Sequence, residues 1–204
     1  QIIGTDGGLL NAAQEVSNVL LAPGERADVL VNFDGQVIGT EIFLQSNPFD
    51  GTASQGKQSF KIMKFKVTRQ EIDTFTMPAS LMPVELIPVS AAVATRSFNI
   101  GHMMAHGGGT GMVVHPLDGK TFDANRRDEV VNAGTIEIWE FDNSAGTETH
   151  PMHLHAGQFQ VLSREGGRSV IQPWEKGWKD TVLAFPGEKL RIIIKFPDNK
   201  GKFV

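Results

Sequence analysis

The chain has 204 residues, enough for one large domain or two of ordinary size, and 40% apolar with 21% charged residues is the balance of a globular protein with a proper core. No apolar run approaches the roughly 18 residues that a membrane-spanning helix needs, and 19 basic against 23 acidic residues, without a basic block or interleaved aromatics, argue against a nucleic-acid partner. Cysteine is absent, which removes disulfides, thiolate chemistry and cysteine-rich zinc sites.

The chain opens on Gln1-Ile2-Ile3-Gly4, with no initiator Met and no charged and then apolar leader, and so reads as cut or processed. Ser17 to Pro23 and Arg26 to Phe33 read as strands separated by a Pro23-Gly24 turn, with Ala27, Val29, Val31 and Phe33 sharing a face. Thr40 to Ser46 is a further short strand, and Asn47 to Gly56 is a loop rich in turn residues. From Ser59 to Val67 the apolar phase shifts between Phe60-Ile62 and Phe65-Val67, which predicts a bulge near Met63 or Lys64. Pro78, Pro83 and Pro88 recur every five residues and break helix and strand alike, so residues 71–92 read as an extended connection between two domains, 1–70 and 93–204.

After that connection comes a loop from Gly101 to His115 that holds His102, His106 and His115 among methionines and glycines. Thioethers beside imidazoles can bind or pass cuprous ion, but the spacing matches no rigid ligand set and the glycines make the loop flexible. Phe122 to Arg126 is a turn, and Gly134 to Phe141 is a strand apolar on both faces, hence central. Gln158 to Ser163, Trp178 to Leu183 and Lys189 to Phe196 complete the strands, with a turn at Gly166-Gly167-Arg168. In the last, Leu190, Ile192, Ile194 and Phe196 line one face and Lys189, Arg191 and Lys195 the other. Short strands, frequent turns and no helical period indicate an all-β protein of antiparallel sandwiches rather than alternating β and α units.

The chemistry concentrates in Thr149-His150-Pro151-Met152-His153-Leu154-His155-Ala156-Gly157-Gln158-Phe159, with three histidines in six residues. A single buried His is usually a hydrogen-bonded core residue, but three so close together are poor core material and read as metal ligands. His153 and His155, two apart, leave the same face of an extended backbone, whereas Pro151 frees His150 to aim elsewhere, so the three can serve more than one metal. Imidazole alone does not choose among copper, zinc, iron and nickel. His-x-His also occurs in zinc hydrolases built on (β/α) barrels, but that fold needs a helix after each strand. A β-sandwich presenting histidines from a strand end points to copper or to a cupin-like site.

The 149–159 stretch resembles the third copper motif of the multicopper oxidases, the family of laccases, bilirubin oxidases and bacterial cuprous oxidases. Ile3 to Leu10, Leu21 to Val29 and Gly177 to Val182 are similar to further family segments, in the family's order. The resemblance implies cupredoxin-like antiparallel β-sandwich domains of Greek-key type, the later part of a middle domain over residues 1–70 and most of the final domain over 93–204. It implies that His150 ligates the type 1 copper that accepts electrons from substrate, His153 the type 2 copper and His155 one of the type 3 pair. The implied activity is single-electron oxidation of phenol-like, pigment or metal-ion reductants with dioxygen reduced to water, in a periplasmic or secreted setting. The family's first two His-x-His motifs and its final His-Cys-His motif are not in this sequence, so missing segments or a neighbouring subunit would have to complete the copper sites. The competing class is a noncatalytic cupredoxin-like binding protein related to such oxidases.

Overall fold

The computed structural model describes residues 1–49, 56–101, 103–105 and 112–203; the expectations for His102, His106 and the tip of the 47–56 loop lie outside the described residues. Thirteen strands and two short 3-10 turns are present among them. In the first half, β1 (Ile2–Thr5) lies between β2 (Gly8–Gln14) and β3 (Ala27–Val29), both antiparallel to it. β4 (Glu41–Ser46) pairs antiparallel with β5 (Phe60–Lys66). In the second half a four-stranded sheet has the order β11 (Phe159–Gly166), β13 (Glu188–Lys195), β9 (Ile136–Asp142), β6 (Ala94–Asn99). Its pairs are antiparallel except that β6 runs parallel to β9. β7 (Met103–Ala105) and β8 (Met112–Val114) form a small hairpin, and β10 (His150–His153) pairs antiparallel with β12 (Thr181–Ala184). Among the described residues no strand pairing crosses from β1–β5 to β6–β13.

The sandwich follows from the period-2 patterning. Phe98 of β6, Phe141 of β9, Phe159 and Val161 of β11, and Leu190, Ile192 and Ile194 of β13 meet Val182 and Ala184 of β12 in one buried cluster, closed by Leu154. β9 and β13 are both central: β9 is apolar on both faces, and β13, whose second face carries Lys189, Arg191 and Lys195, still buries Ile193 there.

Several local expectations are corrected. Residues 17–23 form no strand: Val19 and Leu20 turn inward to pack beside the Ile2, Leu10 and Trp174 cluster, and Ala22 joins Leu183 and Phe185. The strand expected over 26–33 shrinks to β3, which pairs with β1 and is followed by one further backbone pair, Leu30 with Gln1. The bulge in β5 falls at Ile62, where Leu44 pairs with Met63 and Gln45 with Lys61. The Gly101–His115 loop is flanked by the β7–β8 pairing, so backbone hydrogen bonds order its two sides.

The proline-rich segment contains one 3-10 turn, Val89–Ala91, and is tied to both halves of the chain between Leu81 and Ile87. Leu81 and Met82 donate to the Asn11 and Leu10 carbonyls, and the buried Gln160 amide donates to Glu85 O while accepting from Ile87 N. No helix among the described residues is long and apolar enough to cross a membrane.

Candidate metal centre

β10 carries the motif, and its local sequence explains its form. Among the described residues it has one partner, β12, and an edge strand of this kind tolerates Pro151, which lacks an N–H. His150 faces Ala184 and His153 faces Thr181 across the pair, and three residues apart they leave opposite faces of the strand. Ala156 then takes the left-handed region at φ 66°, turning the chain immediately beyond His155.

On one side, the His150 ring meets the His115 ring edge-on at 4.7 Å between centroids, and His115 Nε2 lies 3.3 Å from Glu148 Oε2. One ligand atom from each of His115, Glu148 and His150 falls within 4.8 Å of the others. This is a nitrogen, oxygen, nitrogen donor set of the kind that borderline divalent metals accept. Glu148 escaped the sequence reading because it stands in the bend that precedes β10, where no strand period bears on side-chain direction. His115 was read only as part of a flexible loop; β8 ends immediately before it and fixes its place.

On the other side, the rings of His153 and His155 stand 4.8 Å apart at 70°. Both line an open cavity of about 620 Å³ together with Gly157, Gln158 and Asp180. His153 Nδ1 is 2.9 Å from the Asp180 carbonyl oxygen and 2.9 Å from Thr181 Oγ1. A proton on Nδ1 donated to these oxygens leaves the Nε2 lone pair for a metal. Burial pushes the Asp180 carboxyl up, but hydrogen bonds from Arg26 and Thr181, with the charge of Arg26 beside it, hold it below the usual carboxylate range. The structure brings the rings of His153 and His155 together, although His155 stands in the turn beyond β10 and not on an extended backbone, and it places His150 beside His115 and Glu148.

Over residues 90–204 the sequence matches the profile of the family described as multicopper oxidase. The chain belongs to the multicopper oxidase family. It is 31% identical over 190 residues to a laccase of Haloferax volcanii, covering 93% of this chain and 32% of that one. It is also 31% identical over 220 residues to a laccase of Bacillus subtilis, covering 99% and 42%. Among solved structures, the McoA multicopper oxidase of Aquifex aeolicus superposes with a TM-score of 0.81 at 31% identity, covering 98% of this chain and 43% of that one. The all-β architecture is thus that of multicopper oxidase cupredoxin-like domains. The chain spans between about a third and two fifths of the length of these relatives. Copper is the metal this family implies, and the donors fit it in part: imidazole suits copper, but with no cysteine in the 204 residues these donors do not include the thiolate of a blue centre.

Proposed function

We propose that the chain is part of a copper-dependent oxidoreductase that takes single electrons from a phenol-like, pigment or metal-ion reductant and reduces dioxygen to water. The observation that carries this reading is the division of the motif about one short strand, with His150 beside His115 and Glu148 on one face and the His153–His155 pair at the cavity. On this reading His150 belongs to the type 1 copper, His153 to the type 2 copper and His155 to the type 3 pair. Copper, when bound, supplies one-electron redox chemistry at both places.

The residues of the chain then have separate tasks. A reductant approaching His150 meets the His115 imidazole and the Glu148 carboxylate, which favours a cationic or hydrogen-bonding partner. His153 is held through Nδ1, so its other nitrogen is presented in a fixed direction. Three residues of strand separate the two faces, a backbone span of roughly 10 Å that is short enough for an electron to cross. The remaining donors, a thiolate included, would come from the rest of a longer protein or from a neighbouring subunit. The division into 1–70, 71–92 and 93–204 is part of the same reading, supported by the separate strand pairings of the two halves.

Oxygen uptake by the full-length, copper-loaded protein, with a phenol, a bilirubin-like pigment and cuprous ion offered in turn, tests it. Uptake with at least one of them, yielding water without hydrogen peroxide, is expected. No uptake with any of the three, from a protein that binds one copper or none, is the outcome for a noncatalytic binding protein.

A further inference from the structure

We propose that Arg26, from the N-terminal half of the chain, is a positioning residue for His153, acting through Asp180 and Thr181 to fix which ring nitrogen of His153 faces the metal. The inference rests on the assignment of His153 as a copper ligand.

The hydrogen-bond directions form one continuous chain. The Arg26 guanidinium donates with both terminal nitrogens to Asp180, at 2.8 and 2.6 Å. The Thr181 hydroxyl donates to Asp180 Oδ1 at 2.9 Å. With its only proton spent there, Thr181 Oγ1 can meet His153 Nδ1, 2.9 Å away, only as an acceptor. The Asp180 carbonyl oxygen, at 2.9 Å from the same nitrogen, is an acceptor in any case. Both partners thus demand a proton on Nδ1, which leaves the lone pair on Nε2.

The anchor of this chain is buried. The Asp6 side chain, fully buried on the turn between β1 and β2, accepts from the backbone N–H of Asp180 at 3.2 Å and of Thr181 at 3.3 Å through Oδ2, and from Arg26 N at 2.8 Å through Oδ1. Lys179 Nζ, also fully buried, lies 2.9 Å from Asp6 Oδ2 and 2.9 Å from Glu25 Oε1. Gly7 N donates to Trp178 O at 2.9 Å. Five consecutive residues, Trp178 to Val182, therefore include four whose backbone or side chain is held by residues 6, 7, 25 and 26. Buried ion pairs of this kind add little net stability but fix geometry, and what is fixed here ends at one imidazole nitrogen.

The test uses the full-length, copper-reconstituted protein with Arg26→Gln, Arg26→Lys, Thr181→Val and His153→Ala. Arg26→Gln and Thr181→Val are expected to weaken type 2 copper binding by about 10- to 100-fold and to change its hyperfine splitting in electron paramagnetic resonance. The type 1 absorption should be unchanged. Arg26→Lys, which keeps the charge without the fork, should resemble Arg26→Gln. Nitrogen-15 shifts of His153 in the copper-free protein should show Nδ1 protonated in the parent and a weakened preference for that tautomer in Thr181→Val, where the Asp180 carbonyl is the one acceptor left of the two. A fall in melting temperature with unaltered hyperfine splitting and an unaltered tautomer would mean a merely structural role and overturn the proposal. If Arg26→Gln does not fold, the near-isosteric Thr181→Val decides alone. If His153→Ala itself leaves the type 2 signal intact, the ligand assignment has failed, and the positioning role falls with it; if only the Arg26 and Thr181 variants are silent, the assignment stands and the positioning role alone is lost.

Discussion

Gly7 occupies a place where no side chain fits: a Cβ there would lie 2.3 Å from Trp178 Cβ and 2.7 Å from Trp178 O. Gly7→Ala is therefore expected to push the β1–β2 turn away from Trp178 and to cost about 1–3 kcal/mol, read as a lowered midpoint in urea; an unchanged midpoint would contradict the close approach. A second residue-scale prediction concerns Glu188, which is fully buried with Arg164 and also pairs with Arg168. Burial pushes its carboxyl up, but the hydrogen bond from Arg168 and the charges of Arg164 and Arg168 hold it below the ordinary glutamate value. Because the folded value is the lower one, its stabilisation is complete above the ordinary glutamate range and is lost as pH falls through the folded value. Glu188→Gln should lower stability at neutral pH by on the order of 3–5 kcal/mol and flatten the loss of melting temperature on acidification below about pH 4. A parallel pH dependence in parent and variant would refute it. At this scale the local pattern displayed His150, His153 and His155, because their chemistry is contained in six residues. It did not display Asp6 or Arg26, whose partners lie 174 and 154 residues away, a separation on which no periodicity bears.

The strands that were legible are those buried on a full face. β13 was read nearly to its ends because Leu190, Ile192 and Ile194 alternate cleanly, and β9 was read as central because both its faces are apolar. β1 and β2 were not assigned: three glycines from Gly4 to Gly8 and the alanines of β2 carry weak strand preference, and it is pairing with β1 that makes β2 a strand. The apolar run at 17–23 looked like a strand because burial, not pairing, is what apolar residues report. The contrast between buried and open strands is itself testable. Ile192→Ala, at a fully buried position, should cost about 2–5 kcal/mol, whereas Ile62→Ala, at the β5 bulge and 56% exposed, should stay within about 1 kcal/mol. Equal costs measured by chemical denaturation would contradict the placement of the core.

At the scale of the whole molecule, the two halves share no strand pairing among the described residues but do share cores. Ile2 and Leu10 pack on Trp174, and Ala22 packs on Leu183 and Phe185. The proline-rich segment, expected as a plain connection, is consequently strapped between halves that already touch. Removing residues 1–92 should uncover Trp174 and leave Lys179 without Asp6 and Glu25. Red-shifted tryptophan emission and a melting temperature well below that of the parent are expected of the shortened chain, and an emission maximum and melting temperature equal to the parent's would refute the shared core. The most direct test of the central claim, that one strand serves two metal centres from opposite faces, is to compare His150→Ala with His153→Ala in the full-length, copper-loaded protein by visible absorption and oxygen uptake. His153→Ala should keep the blue absorption and lose dioxygen reduction, and His150→Ala should disturb the blue absorption; loss of the blue band in His153→Ala with its retention in His150→Ala would contradict the claim.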